Sequence, residues 1–72
     1  MSEFIESGAV KVIEVIGIST ASFDDAMKAA VAKAAESISG ITGVEVIKMN
    51  ARVSDGVVTQ YRVNCKIAFT VR

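Results

Sequence analysis

Apolar residues fall along this chain in three different rhythms. From Val10 to Ile18 (VKVIEVIGI) they are nearly continuous and largely β-branched, the mark of a strand covered over much of both faces. Gly17 near its end is read as a bend. From Phe23 onward the spacing changes to i, i+3, i+4. Phe23, Ala26, Met27, Ala30, Val31, Ala34 and Ile38 share one stripe, while Lys28, Lys33 and Glu36 lie off it, which predicts an amphipathic helix. Ser22 followed by Asp25 resembles a capping box with Asp in place of Glu, and Asp24 and Asp25 suit a helix N-terminus. Gly40 is the expected stop. Because the stripe is rich in alanine, the helix is expected to lie close to the sheet beneath it.

Beyond Gly40 the pattern alternates, over Val44 to Val53 and again over Val57 to Val71. Odd positions are apolar (Ile47, Met49, Ala51, Val53, Tyr61, Val63, Cys65, Ile67, Phe69) and most even ones polar, so two half-buried strands are expected around a turn at Ser54-Asp55-Gly56. A two-residue Asp-Gly loop would set even residues opposite odd ones and mix the faces. A three-residue loop with Gly56 left-handed avoids this, pairing Val53 with Val57, Met49 with Tyr61 and Ile47 with Val63. That register puts Lys48 across from Arg62, Val44 across from Lys66 and Arg52 across from Val58, on a face shared with Asn50, Gln60 and Asn64. Glu45 has the opposite parity. Like charges set opposite each other on a sheet are destabilising without an intervening anion. A ligand phosphate would serve, as would Glu14 or acids from neighbouring subunits.

The elements give an α+β fold: a β-α-β-β unit, one three-stranded antiparallel sheet wrapped on one helix, over residues 10–72 behind a flexible segment 1–9. A helix of ~17 residues covers ~25 Å, whereas a 15-residue strand runs ~50 Å, so apolar positions overhang and strand edges stay open. The chain has 72 residues, a single cysteine and no histidine, so neither an internal disulfide nor a His-based metal or catalytic site can stabilise or activate it. Self-association is expected and an enzyme is not. Eight basic and eight acidic side chains cancel, giving no general attraction to nucleic acid. No secretion signal or membrane-spanning run is seen, so a cytoplasmic protein without membrane or nucleic-acid partners is expected. Cys65 is read as an inert buried thiol, Met27 and Met49 as core filler, Tyr61 as a packing residue, and Asp24 and Asp25 as caps rather than calcium ligands.

Three segments add a further reading. Lys11-Val12-Ile13-Glu14-Val15-Ile16-Gly17, Ser19-Thr20-Ala21-Ser22-Phe23-Asp24-Asp25-Ala26 and Tyr61-Arg62-Val63-Asn64-Cys65-Lys66-Ile67-Ala68-Phe69 resemble, in order and spacing, the landmarks of the dodecins. The resemblance runs from Val10 to the end. It implies a subunit whose helix is partly enveloped by the sheet, a hollow homododecamer, and non-enzymatic storage of flavins stacked in pairs between tryptophans, with a glutamine at the ring edge. Here Gly43 stands at the tryptophan position and Arg62 at the glutamine position, and the chain has no tryptophan. Without that aromatic platform, flavin sandwiching is expected to be weaker. The site implied comprises Thr42, Gly43, Val44, Lys48, Arg62 and Asn64. Its expected occupant is riboflavin or FMN, with coenzyme A, another anionic ligand, a calcium ion or a purely structural shell as alternatives.

Overall fold

In the computed structural model, which describes residues 8–71, the elements follow the expected order: β1 (Ala9–Ser19), α1 (Phe23–Ala35), β2 (Ile41–Ser54) and β3 (Val57–Val71). The expected N-terminal segment lies outside the described residues up to position 7. The sheet is antiparallel with strand order β1-β3-β2, so the longest strand is central and both of its neighbours are edges.

Ser22, in extended conformation (φ −168°), caps α1 by accepting the Asp25 N–H at 3.0 Å. Only that half of the capping box forms. The Asp25 carboxylate instead accepts the Ser19 hydroxyl at 2.7 Å, and Ser19 Oγ in turn accepts the N–H of Ala21 at 2.9 Å. The last residue of β1 is thereby fastened to the first turn of the helix. The helix ends at Ala35, short of the expected Gly40, because the chain tightens: Ser37 N–H donates to Ala34 O at 3.2 Å, a three-residue spacing. Gly40, left-handed at φ 79°, belongs to the connection into β2, where its carbonyl accepts the Thr70 N–H at 3.1 Å.

One helical face, Ala26, Ala30 and Ala34, lies on Val63, Cys65 and Ile67 of β3, and these six residues are the buried core. Ile13, Val15, Met27, Val31 and Ile41 pack around it, and Phe23 meets Tyr61 edge to face with ring centroids 4.9 Å apart. Gly17 does not bend the chain. It lies inside β1 opposite Val63, and a Cβ there would run into the Ala26 carbonyl oxygen and come within 2.9 Å of the Ala30 Cβ. Its role is to let the helix approach. Met49, expected in the core, is 57% exposed because it lies on the part of the hairpin that α1 does not reach.

The hairpin register differs from the expected one. Asp55 (φ 53°) and Gly56 (φ 76°) form a two-residue turn that pairs Ser54 with Val57. The mixing of faces that such a turn threatens is corrected at once by a bulge: Val53 pairs with Val58 but Arg52 with Gln60, leaving Thr59 as the extra residue. From there Ala51 faces Tyr61 and Met49 faces Val63, like with like. A second irregularity at Ile47 shifts the pairing again, to Val46 with Cys65 and Val44 with Ile67.

The protomer measures 52 × 18 × 17 Å with a radius of gyration of 14.6 Å, against ~11 Å for a compact chain of this length. A 13-residue helix spans only ~20 Å of this. Val53 and Val57 at the far end of the hairpin stay 63% and 61% exposed. A core of six residues under an elongated sheet leaves much of the apolar surface of β1 and the hairpin uncovered within one protomer.

Candidate functional site

The face of the sheet turned away from α1 carries the polar residues, because Val63, Cys65 and Ile67 turn inward and their neighbours on β3 therefore turn out. Its rows run across the three strands. At one end Val10 stands beside Thr70 and Val12 beside Ala68, the latter opposite Gly43. Next, Glu14, Lys66 and Glu45 form a row with an acid on each side of the lysine. Then come Ile16, Asn64 and Lys48; Ile18, Arg62 and Asn50; and finally Gln60 with Arg52.

This arrangement corrects the expected electrostatics. Glu45 shares the outer face and stands opposite Lys66, because the irregularity at Ile47 reverses the parity of β2. Lys48 faces Asn64 rather than Arg62, Arg62 faces Asn50, Val44 faces Ile67, and Arg52 faces Gln60 rather than Val58. Each cation of the distal hairpin is therefore matched with an amide. The acids gather instead around Lys66. The ion pairs of the described residues are Lys28 with Asp24 at 3.1 Å and Lys33 with Glu36 at 3.5 Å, both on α1, so Lys48, Arg52 and Arg62 have no carboxylate partner among them.

The six candidate residues fall in two groups. Lys48 and Asn64 are cross-strand partners and Arg62 is the next outward residue along β3. Thr42, Gly43 and Val44 lie at the start of β2, where Gly43 opposite Ala68 is ~13 Å along the sheet from the Asn64 row. Within one protomer the groups do not converge. Val44, opposite Ile67, turns to the helix side. Arg52 was not among the candidates because the expected register set it against Val58. The Thr59 bulge that brings it into line leaves no mark in the alternation, although an Asp-Gly pair at the turn is the usual sign of a two-residue loop.

Gly43 has an open environment: a Cβ placed there meets nothing within 4 Å, and its φ needs no glycine. The aromatic rings of the described residues lie elsewhere, Phe23 and Tyr61 against the core and Phe69 between Lys11 and Ile41. No ring among them stands beside Gly43 to stack on a flavin. The sheet cations, by contrast, suit a phosphate. A separate groove of about 290 Å³ runs between the β1 edge and α1, lined by Val15, Ile16, Gly17, Ile18, Ala29, Ala30 and Lys33. Of the residues just described on the outer face it touches only Ile16 and Ile18, and none of the six candidates. Cys65 is buried and its Sγ donates to Val63 O at 3.7 Å; burial pushes the thiol up from its ordinary value, which keeps it protonated and unreactive at neutral pH. Among the described residues no group of three or more His, Cys, Asp or Glu gathers to hold a metal, and no helix is long and apolar enough to cross a membrane.

Compared with known proteins, residues 9–72 match the family model described as Dodecin. Among solved structures, the dodecin from Streptomyces coelicolor superposes with a TM-score of 0.90 at 26% identity, covering 94% of this chain and 97% of that one. The dodecin from Streptomyces davaonensis gives 0.88 at 19% identity, covering 93% and 98%. A calcium-chelating immunodominant antigen of Mycobacterium tuberculosis, calcium dodecin, with a novel calcium-binding site, gives 0.78 at 31% identity over 89% and 91%. No curated protein matches.

Proposed function

The chain belongs to the dodecin family, and from that premise we propose that it forms a hollow homododecamer in the cytoplasm that binds and stores a phosphate-bearing small molecule without transforming it. The observation that carries this is the distal hairpin face, where Lys48 and Arg62 stand one diagonal step apart, flanked by Asn64 and Asn50, with no carboxylate partner among the described residues. Two cations beside hydrogen-bonding amides form a donor set for phosphate oxygens. Thr42, Gly43 and Val44 lie too far along the strand to join this site from the same protomer and would reach it only from a neighbouring copy.

FMN and coenzyme A both carry the required anion, but the flavin ring itself finds no stacking partner at Gly43. Binding in this shell therefore rests on the phosphate rather than on the ring. The calcium-binding relative shows a different ligand in its own chain, and the metal-ligating side chains that would support that reading do not gather among the described residues here. The absence of histidine from the chain supports a storage rather than a catalytic role.

The test is to titrate the assembled protein with riboflavin and with FMN, which differ only in the phosphate. FMN is expected to bind at least tenfold more tightly, the factor one charge-assisted contact supplies, and Lys48→Gln or Arg62→Gln is expected to remove the difference. Equal affinities, unchanged by either substitution, would refute a phosphate site.

A further inference from the structure

On the distal part of the hairpin, beyond the Lys66 row with its two acids, the outward cations are three rather than two, and they form a staircase. Lys48 stands opposite Asn64, Arg62 opposite Asn50 and Arg52 opposite Gln60, so successive cations alternate between β2 and β3 while moving in one direction along the sheet. Cross-strand diagonal neighbours are ~7–8 Å apart, too far for one side chain to screen the next and close enough to repel. An anion lowers the energy most where it lies between two cations, and a staircase of three offers two such positions that share the middle one, Arg62. Lys48 and Arg52 are four residues apart on β2, ~13 Å, and the midpoints of the two steps are therefore ~6.5 Å apart.

We infer that this face holds two phosphate groups at once, one between Lys48 and Arg62 and the other between Arg62 and Arg52, and selects ligands whose phosphates are kept apart by a sugar-sized spacer. A nucleoside bisphosphate esterified at two positions of one ribose has this form. A diphosphate does not, because two phosphorus atoms sharing one oxygen are held much closer together and fit one step of the staircase only. Asn50 lies opposite Arg62 with Lys48 and Arg52 on either side of it, placed to donate to both phosphates, and Gln60 adds a donor at the second. Ile16 and Ile18, 48% and 52% exposed in the same rows on β1, give an apolar margin for the non-phosphate part of the ligand.

The inference rests on the phosphate-binding reading above, and the experiment separates the two. AMP, ADP and adenosine 3′,5′-bisphosphate share base and sugar and differ only in the number and placement of phosphates. They would be titrated calorimetrically into the full-length assembly, its native mass checked for each variant. The bisphosphate is expected to bind roughly tenfold more tightly than ADP, with ADP close to AMP. Arg52→Gln is expected to bring the bisphosphate down to the AMP level while leaving AMP within about twofold. Arg62→Gln should weaken all three. Equal affinities of ADP and bisphosphate, or an Arg52→Gln variant that keeps the preference, would overturn the two-phosphate arrangement while leaving a single phosphate site standing. Binding of all three nucleotides no tighter than to a Lys48→Gln, Arg52→Gln, Arg62→Gln triple variant would overturn both. A change of native mass in Arg52→Gln alone would assign Arg52 to an intersubunit ion pair and equally overturn the inference.

Discussion

Gly17 is the point at which helix and sheet touch most closely, and adding one methyl group there tests the account of the core. In Gly17→Ala the new Cβ would overlap the backbone oxygen of Ala26 and stand 2.9 Å from the Ala30 Cβ. Neither neighbour can rotate away, since one is main chain and the other is a β-carbon, so α1 must lift from β1. The layer it lifts from is thin: Ala26, Ala30 and Ala34 on Val63, Cys65 and Ile67. Overpacking in such a layer costs ~1–3 kcal/mol, and contact with backbone rather than a flexible side chain puts the expected value at the upper end. A domain of this size has roughly 3–5 kcal/mol from its own core, so the loss removes most of the stability of an isolated protomer. Urea denaturation followed by circular dichroism, at fixed protomer concentration, measures it, and a thermal melt should fall by more than 10 °C, since ~1 kcal/mol shifts a small domain by ~4–8 °C. Gly43→Ala is the matched control: the same chemical change in a strand, with nothing within 4 Å of the added carbon. It is expected to stay within ~0.5 kcal/mol of the parent. Equal effects of the two substitutions would refute the close-approach argument and return Gly17 to being an ordinary strand glycine.

The helix cap and the buried thiol give two further expectations. Ser22→Ala removes the acceptor for the Asp25 N–H and should cost ~1 kcal/mol, read as a drop in the urea midpoint with an unchanged slope. Burial raises the Cys65 pKa above its unfolded value, so the neutral thiol contributes stability that is fully present below the ordinary thiol pKa, roughly 8.5, and is lost as pH rises through the higher folded value. Stability should therefore fall on the alkaline side, a fall that Cys65→Ala should make shallower, and a thiol reagent at neutral pH should label Cys65 only as the protein unfolds.

The helix and strands were legible because each depends on local rhythm. The Phe23 to Ala34 stripe, the Ser22 cap and the alternation from Tyr61 to Phe69 all appear in the structure as read. Where the reading missed, a tertiary contact decided. Gly17 is a glycine because of a helix that follows it in sequence, and the strand around it shows nothing unusual. Met49 alternates like a core residue, but it stands on β2, the edge strand on the far side of β3 from β1, where α1 hardly covers the sheet, although its partner Val63 on β3 is buried.

The hairpin shows how much of a site can turn on one extra residue. The alternation required odd residues of β2 to meet odd residues of β3, which holds at Met49 and Ala51 but not before the irregularity at Ile47; for that middle stretch two solutions satisfy the requirement: a three-residue loop, or a two-residue loop followed by a bulge. Periodicity is blind to the choice, because both restore the same faces. Electrostatics is not. The three-residue loop sets Lys48 against Arg62, a repulsive pair that one anion could relieve, whereas the bulge at Thr59 moves β3 along by one row and sets every distal cation against an amide. The demand for an anion then passes from one opposed pair to a line of three cations with two gaps. If Thr59 were deleted, Asp55-Gly56 could be kept only by turning Gln60, Arg62 and Asn64 to the helix side or by breaking the Met49 to Val63 match. The bulge is thus a structural requirement of the turn, and the spacing of the cations follows from it.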